Sequence, residues 1–121
     1  MAKSVLIVED SLTLRSMVGY ALRNAGYEVY ETDNVEAARD ILNKHKVDLV
    51  ILDILLESVT PGYKLLDDIK HWPQWRHIKV IVATARGKMA ERTAEMKGAD
   101  SFIPKPYDEE VILREVKKLI G

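Results

Sequence analysis

The 121-residue sequence contains no cysteine. Disulfides, thiol nucleophiles and zinc sites built on thiolates are therefore excluded. Charge of one sign is lacking too. The 18 Lys+Arg and 19 Asp+Glu leave a net charge of −1, so no global field draws the chain to nucleic acid or to a membrane. Long hydrophobic runs are also missing. The longest near the N-terminus, Val5 to Val8, is far too short for a signal peptide or a membrane span. These absences point to a cytoplasmic protein with no direct nucleic-acid partner and no membrane insertion. There is no linker, internal repeat or low-complexity stretch. What remains is 47% hydrophobic and 31% charged, an ordinary globular balance at a length that suits one domain over residues 1–121.

Strand and helix patterns alternate from end to end. Ser4–Val8 reads as a strand, and Leu14, Val18, Ala21, Leu22 and Ala25 then recur at helical spacing until Gly26. Tyr27–Glu31 alternates as a less buried strand. Asp33 with Glu36 three residues later resembles a capping box for a helix carrying Val35, Ala38, Ile41 and Leu42. Asp48–Leu52 is a third strand. Pro61-Gly62 opens a helix with Leu65, Leu66 and Ile69 inward, and a fourth strand centres on Ile81. A helix from about Lys88 to Lys97 stops at Gly98, the short run Ser101–Pro104 follows, and Val111, Ile112, Val116, Leu119 and Ile120 mark a last helix. Five strands alternating with five helices predict an α/β fold with a parallel sheet. Strands one, three and four are almost continuously apolar, as doubly covered strands should be, whereas two and five suit edges. Right-handed crossovers then give a doubly wound, flavodoxin-like order 2-1-3-4-5, with a ligand crevice where the chain reverses between strands one and three.

Polar residues stand at the carboxyl ends of these strands. Glu9 and Asp10 follow the first, Asp53 the third, Thr84 the fourth and Lys105 the fifth. Adjacent carboxylates beside a third one repel, and a bound cation relieves them; oxygen ligands with room for water suit Mg²⁺. Asp53 next to that cation could act as a nucleophile and form an aspartyl phosphate. The Thr84 hydroxyl could donate to a phosphoryl oxygen and the Lys105 ammonium neutralise its charge. Taken singly, each residue has a plainer reading: Asp10 or Ser11 as an N-cap, Asp53 as a loop aspartate, Thr84 as a helix cap, Lys105 as a solvated side chain. Pro104 and Pro106 flank Lys105, however, and rigid flanks argue that its position is specified.

Taken together, Val5-Leu6-Ile7-Val8-Glu9-Asp10-Ser11, Asp53, Thr84-Ala85, Gly98-Ala99-Asp100 and Lys105-Pro106 resemble the receiver domain of two-component response regulators, over the full chain length. That resemblance implies Mg²⁺ held by Glu9, Asp10, Asp53 and the backbone carbonyl of Leu55, with phosphorylation of Asp53 by a histidine kinase or phosphotransfer protein. It implies a cis peptide between Lys105 and Pro106, and Phe102 as the aromatic switch that turns inward when Thr84 moves toward the phosphoryl group. The fourth helix, fifth strand and fifth helix would then form an output face, with Arg92, Glu95 and Lys117 setting specificity for a downstream protein target. A homodimer formed on phosphorylation stays open. Protein–protein contact is the expected output, as in single-domain chemotaxis-type regulators, with excision from a longer regulator or hybrid kinase as the open alternative. Catalysis would extend only to the chain's own phosphorylation and dephosphorylation.

The segment Asp53-Ile54-Leu55-Leu56-Glu57-Ser58-Val59-Thr60-Pro61-Gly62 departs from that family. It lacks a Met-Pro, and its glycine falls one residue late, so the loop reads as longer by one and geometry is least defined at Leu55 and Glu57. Leu55 and Arg86, two residues after the acceptor and the threonine, flank the path of attacking water; an apolar Leu55 should slow hydrolysis. Two rivals remain. A phosphorylation-independent pseudo-receiver binding module would keep the fold without the chemistry. A Mg²⁺-dependent aspartyl-phosphate phosphatase would need an acid–base carboxylate just after Asp53, which Ile54-Leu55-Leu56 does not offer. Finally, Lys70–His77 interleaves aromatics and bases. Neutral net charge favours indoles that pack a helix-to-strand connection over stacking on single-stranded nucleic acid, and His45, His71 and His77 lack metal spacing.

Overall fold

The structure, a computed structural model, describes residues 2–56, 58–85 and 87–121. Its elements are β1 (Ser4–Val8), α1 (Leu12–Asn24), β2 (Glu28–Thr32), α2 (Val35–Lys44), β3 (Leu49–Leu52), α3 (Gly62–His71), β4 (Lys79–Ala85), α4 (Lys88–Met96), β5 (Ser101–Lys105) and α5 (Glu109–Ile120). The sheet is parallel throughout, in the order β2-β1-β3-β4-β5. Every residue of β1 and β3 is buried, whereas β2 and β5 are mostly half-buried edges. Hydrophobic continuity thus marks the sheet interior, as the sequence predicts.

Alternate side chains of each inner strand feed opposite layers. Leu6, Val8, Val50, Leu52, Val80 and Val82 meet α2, α3 and α4, while Val5, Ile7, Leu49, Ile51, Ile81 and Ala83 meet α1 and α5. The period of two in a strand makes this division automatic once both faces carry helices. α4 is the least anchored helix, with Ala94 its one buried residue.

Several boundaries differ from the sequence reading. The cap of α2 is Asn34, not Asp33: Asn34 has extended backbone and its side chain accepts from Ala37 N–H at 2.8 Å. Asp33 lies one residue too early to reach the N3 amide and instead accepts from the Asn34 side chain. Glu36 does not close a capping box, because its carboxylate accepts from Thr60 N–H at 3.1 Å, pinning the loop before α3. β2 runs one residue later than Tyr27–Glu31, and α4 ends at Met96 rather than Lys97. Gly26 takes the left-handed conformation (φ 95°) just beyond α1, where a side chain would be strained. β4 extends through Thr84 and Ala85, so Thr84 is a strand residue and not a helix cap.

Trp72 and Trp75 stack with ring centroids 4.7 Å apart in the α3–β4 connection. Trp75 is buried, and the indoles pack that connection as expected. Among the described residues, no helix is long and apolar enough to cross a membrane.

Candidate functional site

β1 and β3 are hydrogen-bonded neighbours with Val8 opposite Leu52. The residues just past their ends, Glu9-Asp10 and Asp53, therefore emerge side by side at the crevice where the winding reverses. Carboxylate oxygens of Glu9, Asp10 and Asp53 all lie within 4.8 Å of one another. Glu9 and Asp53 are buried and Asp10 is exposed. Ser11, not Asp10, caps α1, accepting from Leu14 N–H at 3.2 Å. Asp10 is thereby left to face the cluster.

The backbone around Glu9 is tied down on two sides. Ser11 N–H donates to Glu9 Oε2 at 2.9 Å, and Arg15 Nη1 donates to the Glu9 carbonyl at 2.7 Å. Burial pushes the Glu9 carboxyl above its usual range, and the Lys105 ammonium only partly offsets this.

Asp53 is held by three donors from three elements. Its Oδ1 accepts from Thr84 Oγ1 at 2.5 Å and from Leu55 N–H at 2.9 Å, and its Oδ2 accepts from Lys105 Nζ at 2.8 Å. The β4–β5 register pairs Thr84 with Pro104 and Ala85 with Lys105, which brings the hydroxyl and the ammonium to the same sheet edge. Lys105 Nζ also contacts Glu9 Oε1 at 2.5 Å. Burial pulls the lysine toward deprotonation, but the two carboxylates outweigh it and raise its pKa above the usual value. The peptide between Lys105 and Pro106 is cis.

One ammonium among three carboxylates leaves the cluster net negative. Hard oxygen donors, one of them exposed where water can complete a shell, are a chemically suitable set for Mg²⁺. Beside the cluster runs an apolar cleft of about 510 Å³ lined by Leu55, Tyr63, Ala85 and Met89 among others.

Phe102 is half-buried, paired with Val82 on β4 and packed on the α2–α4 layer. Glu57 and Arg86 lie outside the described residues. Two residues that matter here, Arg15 and Tyr107, are not singled out by the sequence. Arg15 is recognisable only once its guanidinium meets the Glu9 carbonyl. Tyr107 is half-buried, and its phenol is pushed up by burial and by the charges of Glu9 and Asp53, which places it near the acidic cluster. Gly62, the glycine whose late spacing after Asp53 the sequence marks, is the first residue of α3 and admits the backbone just past β3: a Cβ there would lie 2.4 Å from the Asp53 carbonyl oxygen.

A family model for the response regulator receiver domain matches residues 5–117. The phosphate regulon transcriptional regulatory protein PhoB of Escherichia coli (strain K12) is 31% identical over 121 residues, covering 99% of this chain and 52% of that protein. The polar-differentiation response regulator DivK of Brucella anthropi is 32% identical over 122 residues, covering 100% of this chain and 98% of that protein. The chemotaxis response regulator CheY4 of Vibrio cholerae shares the fold with a TM-score of 0.91 at 24% identity, covering 99% of this chain and all of that one. The chain spans about half the length of PhoB and nearly all of DivK.

Proposed function

The chain belongs to the response regulator receiver domain family of two-component signalling, and from that premise we propose that it accepts a phosphoryl group on Asp53 from a histidine kinase or phosphotransfer protein. The observation that carries this reading is the clamp on Asp53: a hydroxyl, a backbone amide and an ammonium surround a carboxylate that sits beside two more. A solvated loop aspartate has no such surroundings. In this reading the whole of residues 1–121 acts as one receiver unit in the cytoplasm.

Glu9, Asp10, Asp53 and the Leu55 carbonyl would hold Mg²⁺, which supplies positive charge to screen the acceptor from an incoming phosphoryl group. An Asp53 carboxylate oxygen forms the new O–P bond as the donor's N–P bond breaks, and the bonding pair leaves on the imidazole nitrogen. Lys105 then exchanges Asp53 Oδ2 for a phosphoryl oxygen, and Thr84 Oγ1 does the same from Oδ1. Both donors already lie within hydrogen-bond distance of Asp53, so each reaches the phosphoryl oxygens by following them outward from the carboxylate. The phosphoryl group adds about −1.5 to −2 charges. Thr84 moving toward it frees space behind β4 into which Phe102 turns, and the face of α4, β5 and α5 presents a new surface to a downstream protein. The chain turns over no separate substrate; its chemistry is its own phosphorylation and dephosphorylation.

The test is intact mass after incubation with a small-molecule phosphodonor, with and without Mg²⁺, for the wild type and Asp53→Asn. One Mg²⁺-dependent phosphoryl adduct, absent in the variant, is expected. No adduct under any condition would overturn the reading in favour of a phosphorylation-independent binding module.

A further inference from the structure

The loops before β3 and β4 lie at the amino-terminal edge of the sheet, because Leu49 and Lys79, the first residues of those strands, are paired. This is the pole opposite Asp53. Residues 43–47 and 69–79 hold five Lys/Arg, all three histidines and both tryptophans, yet no Asp or Glu. With the whole chain at −1, these two loops are basic and the rest of the chain is net acidic, although Asp48 and Asp100 also stand at this edge, just before β3 and β5. Lys70 is neutralised by Asp100 at 2.6 Å, and Lys44 has only a long contact to Asp40 at 3.6 Å. Lys46, Arg76 and Lys79 are exposed, and among the described residues none of them has a carboxylate within 4.0 Å.

Between the two loops lies a cleft of about 210 Å³ with mixed walls, His45, Lys46, Gln74 and His77 beside the buried Val47, Trp75 and Ile78, and Trp72, stacked on Trp75, stands 42% exposed beside it. A cleft of that size admits one large side chain. We propose that this pole is a second interaction surface, which docks an acidic protein segment carrying one aromatic or aliphatic anchor. Lys46 lines this notch and Arg76 and Lys79 stand on the same two loops, a cationic rim that complements acidic side chains, while the exposed face of Trp72 offers the apolar contact for the anchor. Single-stranded nucleic acid fits less well, since it is held by successive free aromatic faces. Here Trp72 and Trp75 stack on each other and His45 stacks on Tyr30 at 4.6 Å. Because the surface lies across the sheet from Asp53, docking there leaves the phosphoacceptor accessible, and the inference does not rest on Asp53 accepting phosphate.

The probe is a fluorescein-labelled peptide of about twelve residues, rich in Glu and Asp around a central Phe, followed by anisotropy at about 0.05 M salt, where the Debye length is long enough to expose charge effects. Binding to the wild-type chain is expected, weakened on the order of tenfold or more in the folded triple variant Lys46→Glu/Arg76→Glu/Lys79→Glu and weakened again by a Phe-to-Ser change in the peptide. Trp72→Ala, which leaves the charges in place, should reduce affinity by a smaller factor. Far-ultraviolet circular dichroism and the urea unfolding midpoint serve as the fold control for all variants. Equal binding to wild type and triple variant, or no binding to the wild type, would overturn the proposal. Tighter binding of oligo(dT) or of phosphatidylserine vesicles than of the peptide would also overturn it and assign the pole to that class instead.

Discussion

Leu55 donates its N–H to Asp53 Oδ1 while its side chain stands 57% exposed at the mouth of the site. An apolar group there cannot orient an attacking water, so Leu55→Asn should shorten the phosphorylated lifetime several-fold with the main-chain hydrogen bond intact. The decay of the mass adduct after donor removal measures this, and an unchanged lifetime would remove Leu55 from any role in hydrolysis. Glu9 poses a different question at the same scale. Burial raises its carboxyl above 4.5 in the folded chain, so the unfolded chain loses that proton first as pH rises. The contribution of Glu9 to stability is therefore fully present below the unfolded value and lost as pH climbs through the folded one. In the presence of a chelator, Glu9→Gln is expected to raise the melting temperature relative to wild type at pH 7, with the difference shrinking toward pH 4. A wild-type advantage at neutral pH would mean that the contact with Lys105 outweighs burial.

Between elements, the α2 and α3 termini decide how the site is framed. Asn34 caps α2 through Ala37 N–H, and removing such a cap costs about 1 kcal/mol. Urea unfolding should show that loss for Asn34→Ala and little change for Asp33→Ala; the reverse result would restore Asp33 as the cap. Gly62 matters through a close approach and not through backbone freedom. A Cβ at this position meets backbone atoms of Asp53 and Ile54, which cannot swing aside as a side chain end could. Gly62→Ala is expected to cost roughly 1–3 kcal/mol by overpacking and to slow adduct formation, because the displaced atoms belong to Asp53, the proposed acceptor. Stability lost with an unchanged phosphorylation rate would show that the strain is absorbed by α3.

Across the whole molecule, the α3–β4 connection separates a packing residue from a surface one. Trp75 is 3% exposed and Trp72 42%. Trp75→Ala should cost about 3–5 kcal/mol by cavity formation, while Trp72→Ala stays near neutral in chemical denaturation. Comparable losses would indicate that the stacked pair, not the buried ring alone, secures the connection.

Much of this architecture is set by the sequence itself. Unbroken apolar runs at Val5–Val8, Leu49–Leu52 and Val80–Ala83 identify strands covered on both faces. A polar residue directly after such a run must emerge at the sheet edge, which is why Glu9, Asp53 and Thr84 were legible as one group, with Asp10 next to Glu9 and Lys105 after the shorter run Ser101–Pro104. The tertiary structure alone decided the pairings made over long separations. Lys105 reaches Asp53 across 52 positions and Thr84 reaches it across 31, and which oxygen each takes depends on strand register. Local details were decided the same way: the choice of Ser11 over Asp10, and the correction of the α2 cap from Asp33 to Asn34, turn on backbone geometry that near-equal capping propensities do not rank. Arg15 and Tyr107 had no periodicity or spacing to announce them. Their significance comes from what packing brings beside them, and the basic pole arises similarly, when parallel pairing aligns the starts of β3 and β4 and gathers two distant loops at one end of the sheet.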